Sequence, residues 1–343
     1  MTSTNDLQPV DNLPHAANDV SDAPLLDIWF DARATEQGHA ALIDILRRIA
    51  HAVSPLSARL AMGRLADDPA RVVGHNSAGD AQKALDVGAH EHFVAALDGA
   101  SVSAILSEEA PEIVPCDPKG RFAVAMDPID GSGSIGIGAP LGALFAVFPA
   151  EQGGAEFRLP GRHAVAAAYV SFGHSTDIGV SLGDGVCMAT LDPRDGRFHV
   201  TDDKVMLPNR TDMIALNASN ERHWSAGLQR YAAELRAGRE GPRGRDSNMR
   251  WLASAVGELH RILLKGGAFL YPLDQRPAYT IGRLRLLYEA VPIAFLIEAA
   301  GGSATDGINP ILDLVPRDLH QNVPLFFGAR DEIARIHDHL TRA

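Results

Sequence analysis

Between residues 104 and 191 five short apolar runs follow one another, at 104–106, 122–126, 144–148, 164–172 and 186–191, each bounded by Gly, Pro or Asp. Runs this short, punctuated by turn formers, suit strands buried in a sheet. The Ala-rich piece at 164–168 is equally compatible with a helix. A buried sheet needs helices over it, and the flanking sequence supplies them. From His39 to Ala61, Leu42, Ile43, Leu46, Ile49, Ala50 and Val53 recur with a helical period, and Pro55 is expected to kink or end that helix. Residues 80–97 predict a second helix with Leu85, Ala89, Phe93, Val94 and Leu97 on its apolar face, and Asp86 and His90 at or beside that face. Beyond residue 205 the pattern mixes strands at 213–216, 268–271 and 324–327 with helices at 222–236, 252–264, 291–300 and 329–342. The expected fold class is therefore α/β (α+β layered), with alternating layers of helix and sheet and a boundary dividing 24–205 from 206–343.

The termini and the charge narrow the setting. Residues 1–23 carry no Lys or Arg and no apolar core, so they predict a disordered tail rather than a secretory signal. No apolar run approaches the ~18 residues that span a bilayer, and a cytoplasmic protein without membrane association is expected. A net charge of −12 opposes a nucleic-acid partner, which would need basic charge against phosphates, but leaves room for a small phosphorylated ligand. The two cysteines, Cys116 and Cys187, match no zinc spacing and read as free thiols.

The chemistry gathers where apolar runs stop at acids. The run 123–126 meets Asp127-Pro128-Ile129-Asp130-Gly131-Ser132, where Pro128 has no N–H to donate, so regular pairing is expected to stop. Two carboxylates three apart in a turn can converge, and their hard oxygens suit Mg²⁺ or Mn²⁺. The amides of Gly131 to Gly133 can face an anion if a helix starts there. A second run ends in Ser107-Glu108-Glu109, and a third cluster, Leu286-Leu287-Tyr288-Glu289, precedes a helix. Each has a plainer reading: an Asp/Gly turn, a solvated strand end, a surface acid or cap. Brought together, Glu108, Glu109, Asp127, Asp130 and Glu289 would repel, each like pair at ~4 Å costing about 4 kcal/mol at an effective dielectric near 20. Such a cluster persists only around cations, and two hard ions ~4 Å apart suit displacement at phosphorus.

The chain resembles the class I fructose-1,6-bisphosphatases. The matching stretches are SEE (107–109), DPIDGS (127–132), GGAFLYP (266–272), GRLRLLYEAVPIAFLIEAAGG (282–302) and DGINPILDLVPRDLHQNVP (306–324), with GDAQKALD (79–86) fitting the family's mobile catalytic loop. DPIDGS alone marks a wider superfamily of metal-dependent phosphatases; LRLLYE and VPRDLHQ are more specific. The resemblance implies hydrolysis of fructose 1,6-bisphosphate by a Mg²⁺-dependent homotetramer, in gluconeogenesis or a carbon-fixing cycle. It implies metal ligands at Glu108, Glu109, Asp127, Asp130 and Glu289, with Ile129 lending its carbonyl. Glu109 and Asp86 would position and deprotonate water, and Asp80 would hold the loop closed. Asp130, Gly131, Ser132 and Gly133 would meet the sugar and its 1-phosphate. Asn220, Arg250, Trp251, Tyr271 and Arg283 would line the sugar and 6-phosphate, Arg250 reaching a neighbouring subunit's site.

The sequence departs from the family at several of these positions. Arg283 stands where lysine is usual, Trp251 where tyrosine is usual, and Ala255 where methionine is usual, giving a roomier pocket. Another usual tyrosine aligns with His223 or Trp224, and Gly133-Ser134-Ile135-Gly136 replaces the usual Ser-Asn-Ile-Asp. Alternative readings are a related phosphatase for sedoheptulose 1,7-bisphosphate or an inositol phosphate, and a non-catalytic sugar-phosphate sensor.

Overall fold

Side chains of Phe122–Asp130 alternate between two cores, and this sets the layering. Ala123 and Ala125 enter one core, Val124 and Met126 the other, the two-residue period of a strand buried on both faces. The structure is a computed structural model that describes residues 23–35, 39–65, 67–75 and 81–342. The expected tail, Ala23 apart, and Asp80 lie outside the described residues.

In chain order the helices are α1 (Leu26–Ala34), α2 (Ala40–Ala61), α3 (Ala84–Leu97), α4 (Ala226–Ala237), α5 (Ala255–Lys265), α6 (Val291–Ala299) and α7 (Arg330–Thr341). An eight-stranded sheet runs in the spatial order Arg197–Val205, Val186–Asp192, Thr176–Ser181, Ala166–Phe172, Leu141–Pro149, Phe122–Asp130, Val102–Ser107, Val114–Pro115. Its pairings are antiparallel except that of Val102–Ser107 with Phe122–Asp130. A five-stranded sheet has the order Asn248–Met249, Met213–Leu216, Ala268–Tyr271, Leu325–Gly328, Ser303–Thr305. Helices α1 to α3 cover one face of the larger sheet, α5 and α6 fill the space between the sheets, and α4 and α7 cover the far face of the smaller. The expected alternation of helix and sheet is present as five layers. Among the described residues no helix is long and apolar enough to cross a membrane.

Local expectations fail where tertiary burial outweighs a local signal. α2 continues past Pro55 to Ala61, because a buried stripe from Leu42 to Leu56 holds it despite the missing donor. The second helix starts at Ala84 rather than residue 80: Ala81–Lys83 pairs antiparallel with Val72–His75. The helices expected at 222 and 252 begin instead at Ala226 and Ala255, each after a serine cap, Ser225 on the Leu228 N–H and Ser254 on the Gly257 N–H. The Ala-rich run joins a strand, Ala166–Phe172, between two others. Strands Thr176–Ser181 and Arg197–Val205 and helix α1 were not foreseen. The first two mix polar residues or glycine into their pattern, and α1 has only Leu26 and Phe30 buried.

The start of the described chain is fastened to the sheet edge by His199. Val200 N donates to Pro24 O at 2.8 Å. The buried His199 ring reaches Ala23 O through Nδ1 (3.0 Å) and the Asp195 carboxylate through Nε2 (2.9 Å). Both partners are acceptors, so the ring satisfies both only as the cation. The Asp195 carboxylate accordingly raises its pKa. A raised folded pKa contributes stability in full below the unfolded value of about 6.5, and the contribution is lost as pH rises through the folded value. Going from about pH 6 to about pH 9 should therefore lower the melting temperature of the wild type more than that of His199→Gln. Parallel shifts in a calorimetric comparison would exclude His199 as the group responsible.

Candidate active site

Parallel pairing and a one-residue bulge bring the acids together. Val102–Ser107 and Phe122–Asp130 run side by side in the same direction, with Ser107 opposite Met126, so both chains deliver their next acids to one end of the sheet. The Glu108 N–H bonds to Met126 O at 3.2 Å. Regular pairing stops at Pro128, as expected, and resumes out of step beyond it, with Asp127 opposite Leu144 and Asp130 opposite Gly142. In a regular strand residues three apart face opposite ways. The extra residue resets the alternation, so Asp127 and Asp130 converge while Met126 and Ile129 share the α1–α3 core. Ile129, side chain buried, has only its backbone to offer the site. The Asp127 carboxylate accepts from the Ile129 N–H at 3.0 Å, which locks the turn.

Glu289 arrives from the other side of the molecule. It sits in a single π-helical turn, Leu286–Ala290, that runs directly into α6. Its carboxylate accepts from the Arg285 N–H at 2.5 Å. Oxygens of Asp127, Asp130 and Glu289 all lie within 4.8 Å of one another, and the three side chains are buried. Glu108 is close enough to Asp127, and Asp130 to Glu289, for each pair to perturb its partner's titration. Burial is the leading cause of the raised pKa of each group, pushing Glu108 up to about 7 and Asp130 to about 6. Asp127 and Glu289 are driven well above the ordinary carboxylate range, first by burial and then by Glu108 and their other acidic neighbours. The Val256 N–H, at 2.8 Å from Asp130 in the first turn of α5, works in the opposite direction.

The other predicted acids form a second group around Ala81–Lys83. Gln82 Nε2 donates to the Glu109 carboxylate at 2.5 Å, and the Lys83 N–H to Asp86 at 2.9 Å. Lys83 Nζ bonds Ser132 O, which ties this segment to the turn after Asp130. Asp86 is buried with its pKa raised by burial, and its Oδ1 has no protein partner. Gly131, at φ +83°, leads into the 3₁₀ turn Ser132–Ser134, and a Cβ on Gly133 would meet open space. The approach to the turn is open at Gly133.

An aromatic wall faces the acids from the smaller sheet. Trp251 stacks flat on Phe269 at 5.6 Å and meets Tyr271 edge-on at 6.1 Å. Tyr271 is close enough to Glu289 and Arg283 to feel both charges, while burial is what chiefly raises its pKa. Arg283 and Arg276 lie over the Tyr279 ring at 4.8 and 4.1 Å. Asn220 lies in the turn Ala218–His223, which the Gln275 N–H holds through His223 O. Trp224 is buried against α4 and α7, so His223 is the member of that pair left near the site. Arg250 is exposed beyond the edge strand Asn248–Met249.

Sequence reasoning missed Gln82, Lys83 and Arg285. Arg285 is buried, and its guanidinium is held by His320 O and Asn322. The available signal was charge: an acid cluster needs cations nearby, and Lys83 and Arg285 stand three and four residues before Asp86 and Glu289.

Comparisons with known proteins agree with one another. The family model for the fructose-1-6-bisphosphatase N-terminal domain matches residues 29–203, and that for the C-terminal domain matches residues 207–341. A fructose-1,6-bisphosphatase class 1 from Brucella anthropi is 48% identical over 317 residues, covering 92% of this chain and 93% of its own. One from Brucella suis is 51% identical over 293 residues, covering 85% and 86%. The crystal structure of Leishmania major fructose-1,6-bisphosphatase in holo form superposes with a TM-score of 0.86 at 27% identity, over 94% of this chain and 100% of that one. With both family models spanning nearly the whole described chain, it belongs to the class 1 fructose-1,6-bisphosphatase family.

Proposed function

We propose that the protein is a phosphoric monoester hydrolase that converts fructose 1,6-bisphosphate to fructose 6-phosphate and phosphate. The observation that carries this is the buried, mutually repelling group Asp127, Asp130 and Glu289 opposite the Tyr271–Arg283 wall, in a chain about half identical to enzymes of that name. The donor set fits hard divalent cations: all oxygen, crowded, and with a buried Asp86 oxygen lacking a protein partner. Glu108, Glu109, Asp127, Asp130, Glu289 and the Ile129 carbonyl would hold Mg²⁺, with Mn²⁺ able to replace it. When bound, the cations supply Lewis acidity toward charge developing on the phosphoryl oxygens. Asp86 and Glu109 would orient the attacking water, and burial suits Asp86 to take its proton. Asp80 would help hold the loop closed. Gly131, Ser132 and Gly133 would cradle the 1-phosphate, with Lys83 steadying that turn.

The 6-phosphate does not react, so its contacts serve to orient the reacting end. Asn220, Tyr271 and Arg283 would bind it, with Trp251 packing along the sugar. Residues 24–205 would supply most of the acids and 206–343 the sugar-phosphate wall. The alternative substrate is sedoheptulose 1,7-bisphosphate; Ala255, where a methionine is usual, is buried in the core between the sheets. Comparing kcat/KM for the two sugars decides between them. We place the enzyme in the cytoplasm as a homotetramer, with Arg250 entering a neighbour's site. Exposed Met249 and Leu252 flank it and would be covered there.

Asp127→Asn and Glu289→Gln should each cut phosphate release from fructose 1,6-bisphosphate at saturating Mg²⁺ to below about a tenth, which is only about 1.4 kcal/mol of barrier. An active variant, or a wild type inactive on this sugar, would sink the reading. The same Asp127→Asn should melt higher than wild type after chelation, since it removes one repelling acid, and should gain less than wild type on adding Mg²⁺. Sedimentation should find an assembly of several copies; a fully active monomer would remove Arg250 from the shared site.

A further inference from the structure

Ala253 is the one non-glycine among the described residues with positive φ, at +56°. A backbone in this region is kept only where its surroundings over-determine it. It sits directly after Arg250, Trp251 and Leu252, and directly before Ser254, the cap of α5. What holds it comes from α5 itself. Glu258 is fully buried, and its Oε1 accepts from the Leu252 N–H at 2.7 Å. Its Oε2 accepts from Arg261 Nε at 2.8 Å. Arg261 in turn reaches Gly266 O through Nη1 at 3.4 Å. A Cβ on Gly267, at φ +150°, would stand 3.1 Å from the Arg261 guanidinium. That glycine pair leads into Ala268–Tyr271, which carries Phe269 and Tyr271.

We infer that Glu258 is a positioning residue for the sugar-phosphate wall: through Leu252 it aims Trp251, and through Arg261 it sets the turn that places Tyr271. Bonds to an ionised acceptor are the strong, directional kind, and here one carboxylate holds both approaches to the wall. The Arg250 N–H on Ile214 O holds one side of Ala253 and the Ser254 cap the other. Without the Glu258 bond the Leu252 link between them is loosened, Ala253 is freer to relax to negative φ, and Trp251 would turn off Phe269. The first turn of α5 also donates the Val256 N–H to Asp130, so the same turn registers the wall against the acid cluster. The inference rests on the proposed sugar-bisphosphate reading and extends it to a residue that touches no substrate.

The test uses the full chain and two inhibitors that report on different ends of the site. Fructose 6-phosphate draws on the sugar and phosphate contacts of the wall together; inorganic phosphate can bind at the Gly131–Gly133 end without the sugar contacts. Glu258→Ala should weaken inhibition by fructose 6-phosphate about tenfold, the scale of one lost charged hydrogen bond, and raise KM for fructose 1,6-bisphosphate similarly. Inhibition by inorganic phosphate and kcat at saturation should stay within about threefold. Glu258→Gln offers one acceptor to two donors and should shift the same quantities the same way by less; it decides the question if the alanine variant does not fold. Equal weakening of both inhibitors, or none for fructose 6-phosphate, overturns the positioning role. A wild type that binds fructose 6-phosphate no better than inorganic phosphate overturns the sugar-phosphate reading instead, and this inference falls with it.

Discussion

Repulsion among buried carboxyl groups is the constraint around which the rest of the structure is arranged. Asp127, Asp130 and Glu289 are buried with oxygens within 4.8 Å of one another, and Glu108 lies beside Asp127. Carboxylates left to themselves separate or protonate. Here they are held by devices that act on the backbone: a parallel strand pair, a bulge at Pro128–Ile129, and a π turn ahead of α6. The bulge and the π turn are local irregularities, and each device is tied by a hydrogen bond to the acid it positions or its neighbour. The fold thus carries a destabilised cluster that a divalent cation would relieve, a pattern in which stability is given up where function needs charge.

The layering explains why the cluster can be rigid. The core between the two sheets unites side chains from the larger sheet, α5, α6 and the smaller sheet. Asp127 and Asp130 come from the larger sheet, Glu289 from the turn entering α6, and the Asp130 partner Val256 from α5. A shift of any one layer would therefore be resisted by packing on both sides, since close-packed interiors do not deform continuously. Asp86, Glu109, Gln82 and Lys83 gather around the short hairpin strand Ala81–Lys83, which is joined to the rest chiefly by polar contacts. Asp86 itself belongs to α3 and Glu109 follows the strand Val102–Ser107, so the hairpin adds polar ties to acids that packed elements already carry.

How much the sequence disclosed depended on whether the information was local. Asp127 and Asp130 could be paired by eye because three residues and a proline separate them. Glu108 and Glu289 could be joined to them only through the family's motifs, since no spacing rule links position 108 to 289. Trp224 and His223 stayed equivalent until packing buried one of them. Lys83, Arg285 and Glu258 were missed because a lone charged residue on a helix or strand end looks like surface. Only the fold shows that Glu258 is fully buried and spans two segments.

The sequence by itself determined the layered class, the places where buried strands end in acids, and the chemistry those acids can support, because hydrophobic periodicity and residue type are carried by neighbours along the chain. Tertiary structure decided which side chains meet. It carried α2 through Pro55 on the strength of a buried stripe, and it resumed pairing beyond Pro128 so that two acids face one way. It also brought Glu289 across nearly 160 residues to Asp130 and held Ala253 at a dihedral it would not choose alone. These are long-range outcomes. Burial and charge pairing between distant segments set them, and the energies involved exceed the local preferences that a sequence displays.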